Sequence, residues 1–164
     1  MSVCNSLETL LVHQDIAASF LPKAAALLAE HNTVIHACES TTEYFSGAQA
    51  ATEDDWHAEY LAMEIAVKVV SDFDNAVEHI EEYGSSHTEV IVSQDYSKTQ
   101  AFIRRINSAV VMANASSRFY DDDQLGLGAE IGISTSKLHA YEPMGAESLT
   151  TEKFIVMGDG EIRS

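Results

Sequence analysis

Residues 64–114 read "EIAVKVVSDFDNAVEHIEEYGSSHTEVIVSQDYSKTQAFIRRINSAVVMAN". The β-branched run at 64–70 predicts a strand. Asp72 then caps a helix over "DFDNAVEHIEEYG", with Phe73, Val77 and Ile80 on one face and Gly84 as its stop. "TEVIVS" (88–93) is the next strand, "DYSKTQAFIRRI" (95–106) the next helix and "SAVVMAN" (108–114) a strand again. Strand, helix, strand, helix, strand implies parallel pairing through right-handed crossovers, hence an α/β fold with a mostly parallel sheet.

Toward the amino terminus, Leu10-Leu11-Val12 reads as a short buried strand. Asp15 is placed to cap a helix over "DIAASFLPKAAALLAEH", where Ile16, Phe20, Ala24, Leu27 and Leu28 recur at helical spacing. Pro22 inside that pattern predicts a bend or a reset of the helix start. "TVIHAC" (33–38) is another short strand, and "ATEDDW" in the weaker stretch 39–57 reads as a solvated connection. After Asn114 the composition turns to Gly, Ser and Asp. A polar loop of that length follows the carboxyl end of a strand, where open α/β sheets place ligands. The tail "GAESLTTEKFIVMG" predicts a short helix and a last strand.

The chain has 164 residues, 46% of them hydrophobic, enough for one domain with a real core. Its net charge of −17 repels phosphate backbones and anionic lipid, which argues against nucleic-acid and membrane partners. An anionic small-molecule substrate would need a local basic or amide-lined site. The two cysteines, Cys4 and Cys38, make no disulfide framework and point to a reducing cytoplasm. No basic-then-apolar leader opens the sequence and no apolar run reaches membrane-spanning length.

Two stretches carry chemistry-bearing groups. Cys4 is either an inert terminal thiol or a nucleophile whose thiolate is favoured by nearby backbone amides. "NASSR" (114–118) sets an amide, two hydroxyls and a guanidinium just after a strand. Such groups bind a carboxylate or phosphate by charge-assisted hydrogen bonds, or simply make a polar turn. Cys38 reads as a small buried hydrophobe. His31, His36 and Cys38 do not match a zinc spacing, so no metal is expected. His13, His57 and His79 read as strand-end or helix-surface residues. "GLGAEIG" (126–132) departs from the dinucleotide fingerprint.

"SVCNSLETLLVH" (2–13), "NASSRF" (114–119), "LGLGAEIGISTSKLHA" (125–140) and "PMGAESLTTEKF" (143–154) stand in order along the chain. They resemble the gamma-glutamyl phosphate reductases, also called glutamate-5-semialdehyde dehydrogenases, of the aldehyde dehydrogenase superfamily. The resemblance covers essentially the whole chain and implies a three-layer α/β catalytic domain. It implies NADPH-dependent reduction of gamma-glutamyl phosphate to glutamate 5-semialdehyde, a step of proline biosynthesis. Cys4 matches the nucleophile. Glu59 falls where a superfamily glutamate contacts the nicotinamide ribose; a solvated acid is the other reading. Asn114, Ser116 and Arg118 fall on the loop closing the substrate pocket, and Lys137 and His139 on the family-specific block. The resemblance further implies a homo-oligomer assembled through "EKFIVMG", at an edge open to pairing. It implies an NADP-binding domain ahead of Cys4, so residues 1–164 are expected to be the catalytic (C-terminal) domain alone, inactive in isolation.

Asp122 and Asp123 stand where the family usually has glycines, and Tyr141 and Glu142 where it has Arg-Gly. Those changes keep two other readings in play. One is a non-catalytic binding or assembly module pairing with a full-length partner. The other is a nucleotide-independent acyl-transfer activity through Cys4.

Overall fold

The computed structural model describes residues 4–119, 126, 131–138, 140–141 and 144–159. Two units are described separately, Met1–Tyr120 and Asp121–Ser164.

The first unit is built on a parallel sheet of β1 (Thr9–His13), β2 (Val34–Ala37), β3 (Gln49–Ala50) and β4 (Glu64–Val70), in the order β1-β4-β2-β3. β4 is central, with Ala66 opposite Thr9 on one side and His36 on the other. A strand paired on both edges and covered on both faces must be apolar nearly throughout. Ile65, Ala66, Val67 and Val70 are accordingly buried, the middle pair completely. A second parallel pair joins β5 (Thr88–Ile91) to β6 (Val110–Ala113). The alternation across 64–114 therefore holds, and pairing is parallel throughout. β4, however, takes its hydrogen-bonded neighbours from earlier in the chain and not from β5.

Helices cover both faces. α1 (Gln14–Glu30) packs Ala17 and Leu21 onto Val12, Ile35, Ile65 and Val67. Lys68, pointing to the other face by strand alternation, meets His79 of α3 (Phe73–Tyr83). α3 and α4 (Tyr96–Arg105) bury Val77, Phe102 and Ile106 against Ile91 and Val111. An ion pair joins Arg105 to Asp74.

Local chemistry explains the helix ends. Asp72 accepts from the Asn75 amide at 2.9 Å, and Asp95 from the Lys98 amide at 3.1 Å. α1 is capped by His13, whose Nδ1 accepts from the Asp15 amide at 3.2 Å, so Asp15 lies in the first turn instead of at the cap. Pro22 lies within an unbroken helix. The expected apolar stripe is also rotated: Ile16, Phe20 and Leu27 are exposed, while Ala17 and Leu21 face the sheet. Gly84 ends α3 without a left-handed backbone. Its requirement is space, since a Cβ there would lie 2.5 Å from the Ile80 carbonyl oxygen and 3.0 Å from Glu89 Oε1.

The stretch read as a solvated connection contains β3 and a one-turn helix, α2 (Glu53–Trp56), with a reciprocal Thr52–Asp55 cap. In the second unit, Gly132 and Met144 form an antiparallel bridge. The expected short helix is a turn closed by the Thr150 amide on the Glu147 carbonyl. The expected last strand is not formed among the described residues. Phe154, Ile155, Val156 and Met157 are 73–92% exposed there, and a strand needs a partner for its backbone groups.

Glu89 on β5 is held mainly by burial, which raises its carboxyl to about 7 against the opposing Ser108 hydroxyl. The folded chain thus binds the proton more tightly than the unfolded chain. Stability is full below about pH 4.5 and declines as pH rises toward 7. Glu89→Gln is expected to gain at most about 3 kcal/mol over the parent at pH 8 and nothing at pH 4, read by urea unfolding. An equal gain at both pH values would contradict this.

Candidate functional site

β1 and β4 run side by side in the same direction, so whatever precedes each strand lies at one edge of the sheet. Cys4 sits exposed in a turn leading into β1. Glu59 sits exposed in the loop leading into β4. Glu8 lies just ahead of β1, with its carboxylate near the Tyr60 backbone N–H. Burial and the Glu59 charge hold Glu8 above the usual carboxylate range, while the Tyr60 amide opposes them. The same Glu59 charge reaches His87, just ahead of β5, where burial keeps the imidazole below its ordinary value. The Glu59 charge is thus felt at the amino ends of both β1 and β5, at Glu8 and at His87.

Asn114 begins from the other edge. It follows β6, with its backbone at φ 54°. Its Oδ1 accepts from the Ser93 amide and its Nδ2 donates to the Ser93 carbonyl, both at 2.9 Å. The side chain clamps the carboxyl ends of β5 and β6. Ser116 Oγ accepts from the Arg118 amide at 3.3 Å, starting the short 3-10 turn Ser117–Phe119, which packs on β5. Arg118 is exposed, with no carboxylate paired to it among the described residues. An open cavity of about 810 Å³ at this edge is lined by Ile16, Val92, Ser93, Gln94, Tyr96, Thr99 and Asn114. In the second unit Lys137 Nζ lies 4.7 Å from the centre of the Tyr141 ring, a cation–π contact made by one of the residues that depart from the family pattern. His139, Asp122, Asp123 and Glu142 lie outside the described residues.

Three side chains play roles that sequence reading missed. His36 is 9% exposed, with Nδ1 2.9 Å from Asp55 Oδ1 and Nε2 2.9 Å from Glu64 Oε2. Its partners are distant in sequence, so no local spacing announces them. No set of described residues is arranged to hold a metal ion. His79 is buried, not on the helix surface. Its Nδ1 lies 3.0 Å from Lys68 Nζ, and its ring packs against Trp56 and Tyr83. Burial, aided by the Lys68 charge and opposed by Glu53, pushes it down to about 4, so it accepts from the ammonium as a neutral ring. Cys38 is half-buried, in place of the buried hydrophobe expected, and lies 3.2 Å from Ser40 Oγ. Burial raises its thiol, but hydrogen bonds from Ser40, Thr41 and backbone amides outweigh that and leave it below the ordinary value.

Across 99% of its length the chain is 64% identical to a gamma-glutamyl phosphate reductase of Colwellia psychrerythraea, and across 98% it is 59% identical to one of Idiomarina loihiensis. It spans about two fifths of these curated relatives, 39% of each. The crystal structure of a gamma-glutamyl phosphate reductase from Thermotoga maritima matches 99% of this chain at a TM-score of 0.90 and 46% identity, again over 39% of that protein. No protein-family model matches the chain.

The Asn114 clamp separates side chain from backbone. Asn114→Gly keeps the left-handed turn and loses both bonds to Ser93, so about 1–2 kcal/mol of stability should go. Asn114→Ala should lose about 1 kcal/mol more, from the positive φ. Equal urea midpoints for the parent and the glycine variant would show that the clamp contributes nothing.

Proposed function

Because this chain belongs to the gamma-glutamyl phosphate reductase family, of whose members it spans about two fifths, we propose that it is the catalytic portion of such an enzyme. Cys4 is the nucleophile in this reading, and Glu59 contacts the nicotinamide ribose. The observation that supports it best is topological: the parallel β1–β4 pairing delivers the exposed Cys4 turn and the exposed Glu59 loop to one edge of the sheet.

The Cys4 thiolate attacks the acyl carbon of gamma-glutamyl phosphate, a carbon–sulfur bond forms as the carbon–oxygen bond to phosphate breaks, and a thioester results. NADPH, when bound, supplies the hydride that reduces this thioester. Collapse of the thiohemiacetal then releases glutamate 5-semialdehyde and returns the thiolate. Glu59 is exposed and unencumbered by an ion pair among the described residues, which fits a hydroxyl-binding acid. The rest of the nucleotide site belongs to the portion of the family that this chain does not span. Without it the hydride donor is not positioned, and an advantage on the order of 10⁵ M in effective concentration is lost. The isolated chain is therefore a reductase portion that does not turn over at enzymatic rates. Its setting is the cytoplasm, and no described helix is long and apolar enough to cross a membrane.

Assembly through the tail follows from the exposure of Phe154, Ile155, Val156 and Met157. An exposed apolar segment whose backbone has no partner among the described residues is suited to pairing with a second copy of the chain.

Iodoacetamide tests the nucleophile. At pH 7 and in a Cys38→Ser background, Cys4 should alkylate about tenfold faster than free cysteine, as a thiol with a depressed pKa does. A rate equal to that of free cysteine would overturn the assignment. So would NADPH-dependent reduction of gamma-glutamyl phosphate by the Cys4→Ser chain.

A further inference from the structure

Glu59 rides on a loop whose two ends meet one side chain that the proposed reaction does not use. Asp55 lies in α2, just ahead of the loop, and Glu64 opens β4 at its end. His36, in the middle of β2, reaches both: Nδ1 to Asp55 Oδ1 and Nε2 to Glu64 Oε2, each at 2.9 Å. Between those ends, the Tyr60 ring stacks on the imidazole with centroids 5.0 Å apart and planes 15° from parallel. The Tyr60 hydroxyl donates to Asp55 Oδ1 at 3.2 Å. The Tyr60 backbone N–H lies near the Glu8 carboxylate.

Each ring nitrogen lies 2.9 Å from a carboxylate oxygen, so the one imidazole bridges the two acids. Asp55 is doubly anchored, because its other oxygen accepts from the Thr52 amide at 2.6 Å and the Thr52 hydroxyl at 2.7 Å. The ring lies on a strand paired on both sides, with little freedom to follow the loop if the loop moved. It is the fixed point, and the loop is the part that is fastened.

We infer that His36 is the positioning residue for Glu59: it fastens both ends of the 55–64 loop and the Tyr60 ring, and so holds Glu59 in place ahead of β4. The functional consequence rests on the reading of Glu59 as a nicotinamide ribose contact; the fastening itself does not. Both are resolved by one set of measurements on the chain.

Amide hydrogen exchange is read residue by residue in the parent, in His36→Gln and in Glu64→Gln. Glutamine offers one donor group and cannot serve both carboxylates. Glu64→Gln releases only one end, at a side chain that is 33% exposed, and keeps the Asp55 pair in case the first variant does not fold. Exchange in the 56–63 segment should rise about tenfold or more in either variant, with α1 and β4 keeping their protection. Unchanged exchange in that segment would overturn the inference, as would a rise spread evenly over every element. The second arm titrates reduced nicotinamide mononucleotide, following the backbone resonances of residues 58–60. The variants should reach the same limiting shifts as the parent at a several-fold higher apparent Kd, on the order of three- to tenfold. Local loosening together with no nucleotide shift in the parent would remove the ribose role of Glu59 and leave the fastening in place.

Discussion

Everything in the first unit hangs on the two-sided parallel pairing of β4. With β1 on one edge and β2 on the other, the strand's backbone groups are satisfied only if the chain before and after it returns to the same side of the sheet each time. That return brings three segments to the amino edge: the turn carrying Cys4, the start of β2 and the loop carrying Glu59. The apolar side chains that close around β4 come from Leu21 and Val12 on one face, whereas the other face holds the Lys68–His79 contact. A half-buried ammonium and a neutral imidazole are tolerable there because the pair shares a proton donor and an acceptor, and because Trp56 and Tyr83 present their ring faces to the charge. The same geometry explains why the amino edge can gather Glu8, Glu59 and Glu64 in a chain of net charge −17. Glu64 has the His36 ring beside it, and Glu59 faces solvent.

The parts of this architecture legible in the sequence were those written locally. The Val-rich run at 64–70 and the cap at Asp72 need only neighbouring residues to act, and the structure contains them where expected. What escaped was set by distance or by a choice between faces. α1 offers two apolar stripes, and the sheet selected Ala17 and Leu21 because small and branched residues pack closely against β-branched strands, leaving Ile16 and Phe20 exposed. β3 and α2 were missed because strong acidity masked the Thr52–Asp55 cap, and because β3 is a strand only by virtue of β2 beside it. His36 looked like a failed zinc ligand, since its partners lie on two other elements. The tail is apolar enough for a strand, yet periodicity says nothing about where a pairing partner comes from.

The candidate site divides the same way. Family resemblance points to Cys4 and Glu59, and the segments that carry them lead into two strands, β1 and β4, that pair in parallel. Asn114 shows the limit of reading a polar motif as a ligand site. Its amide is occupied by the Ser93 backbone at the opposite edge, where it joins two strand ends and accepts a left-handed backbone to do so. The following turn, with Ser116 and Arg118, then doubles back onto β5. Arg118 on that turn is exposed.

The claim that the Cys4 segment and the Glu59 loop share one edge rests most directly on the contact between the Tyr60 amide and the Glu8 carboxylate. A proton–nitrogen correlation titration of the chain from pH 3 to 8 reads that contact. The Tyr60 amide should shift with a midpoint above the ordinary glutamate value of 4.5, and the shift should vanish in Glu8→Gln. A Tyr60 resonance that stays still while Glu8 titrates, or one that titrates unchanged in the Glu8→Gln chain, would contradict the shared edge.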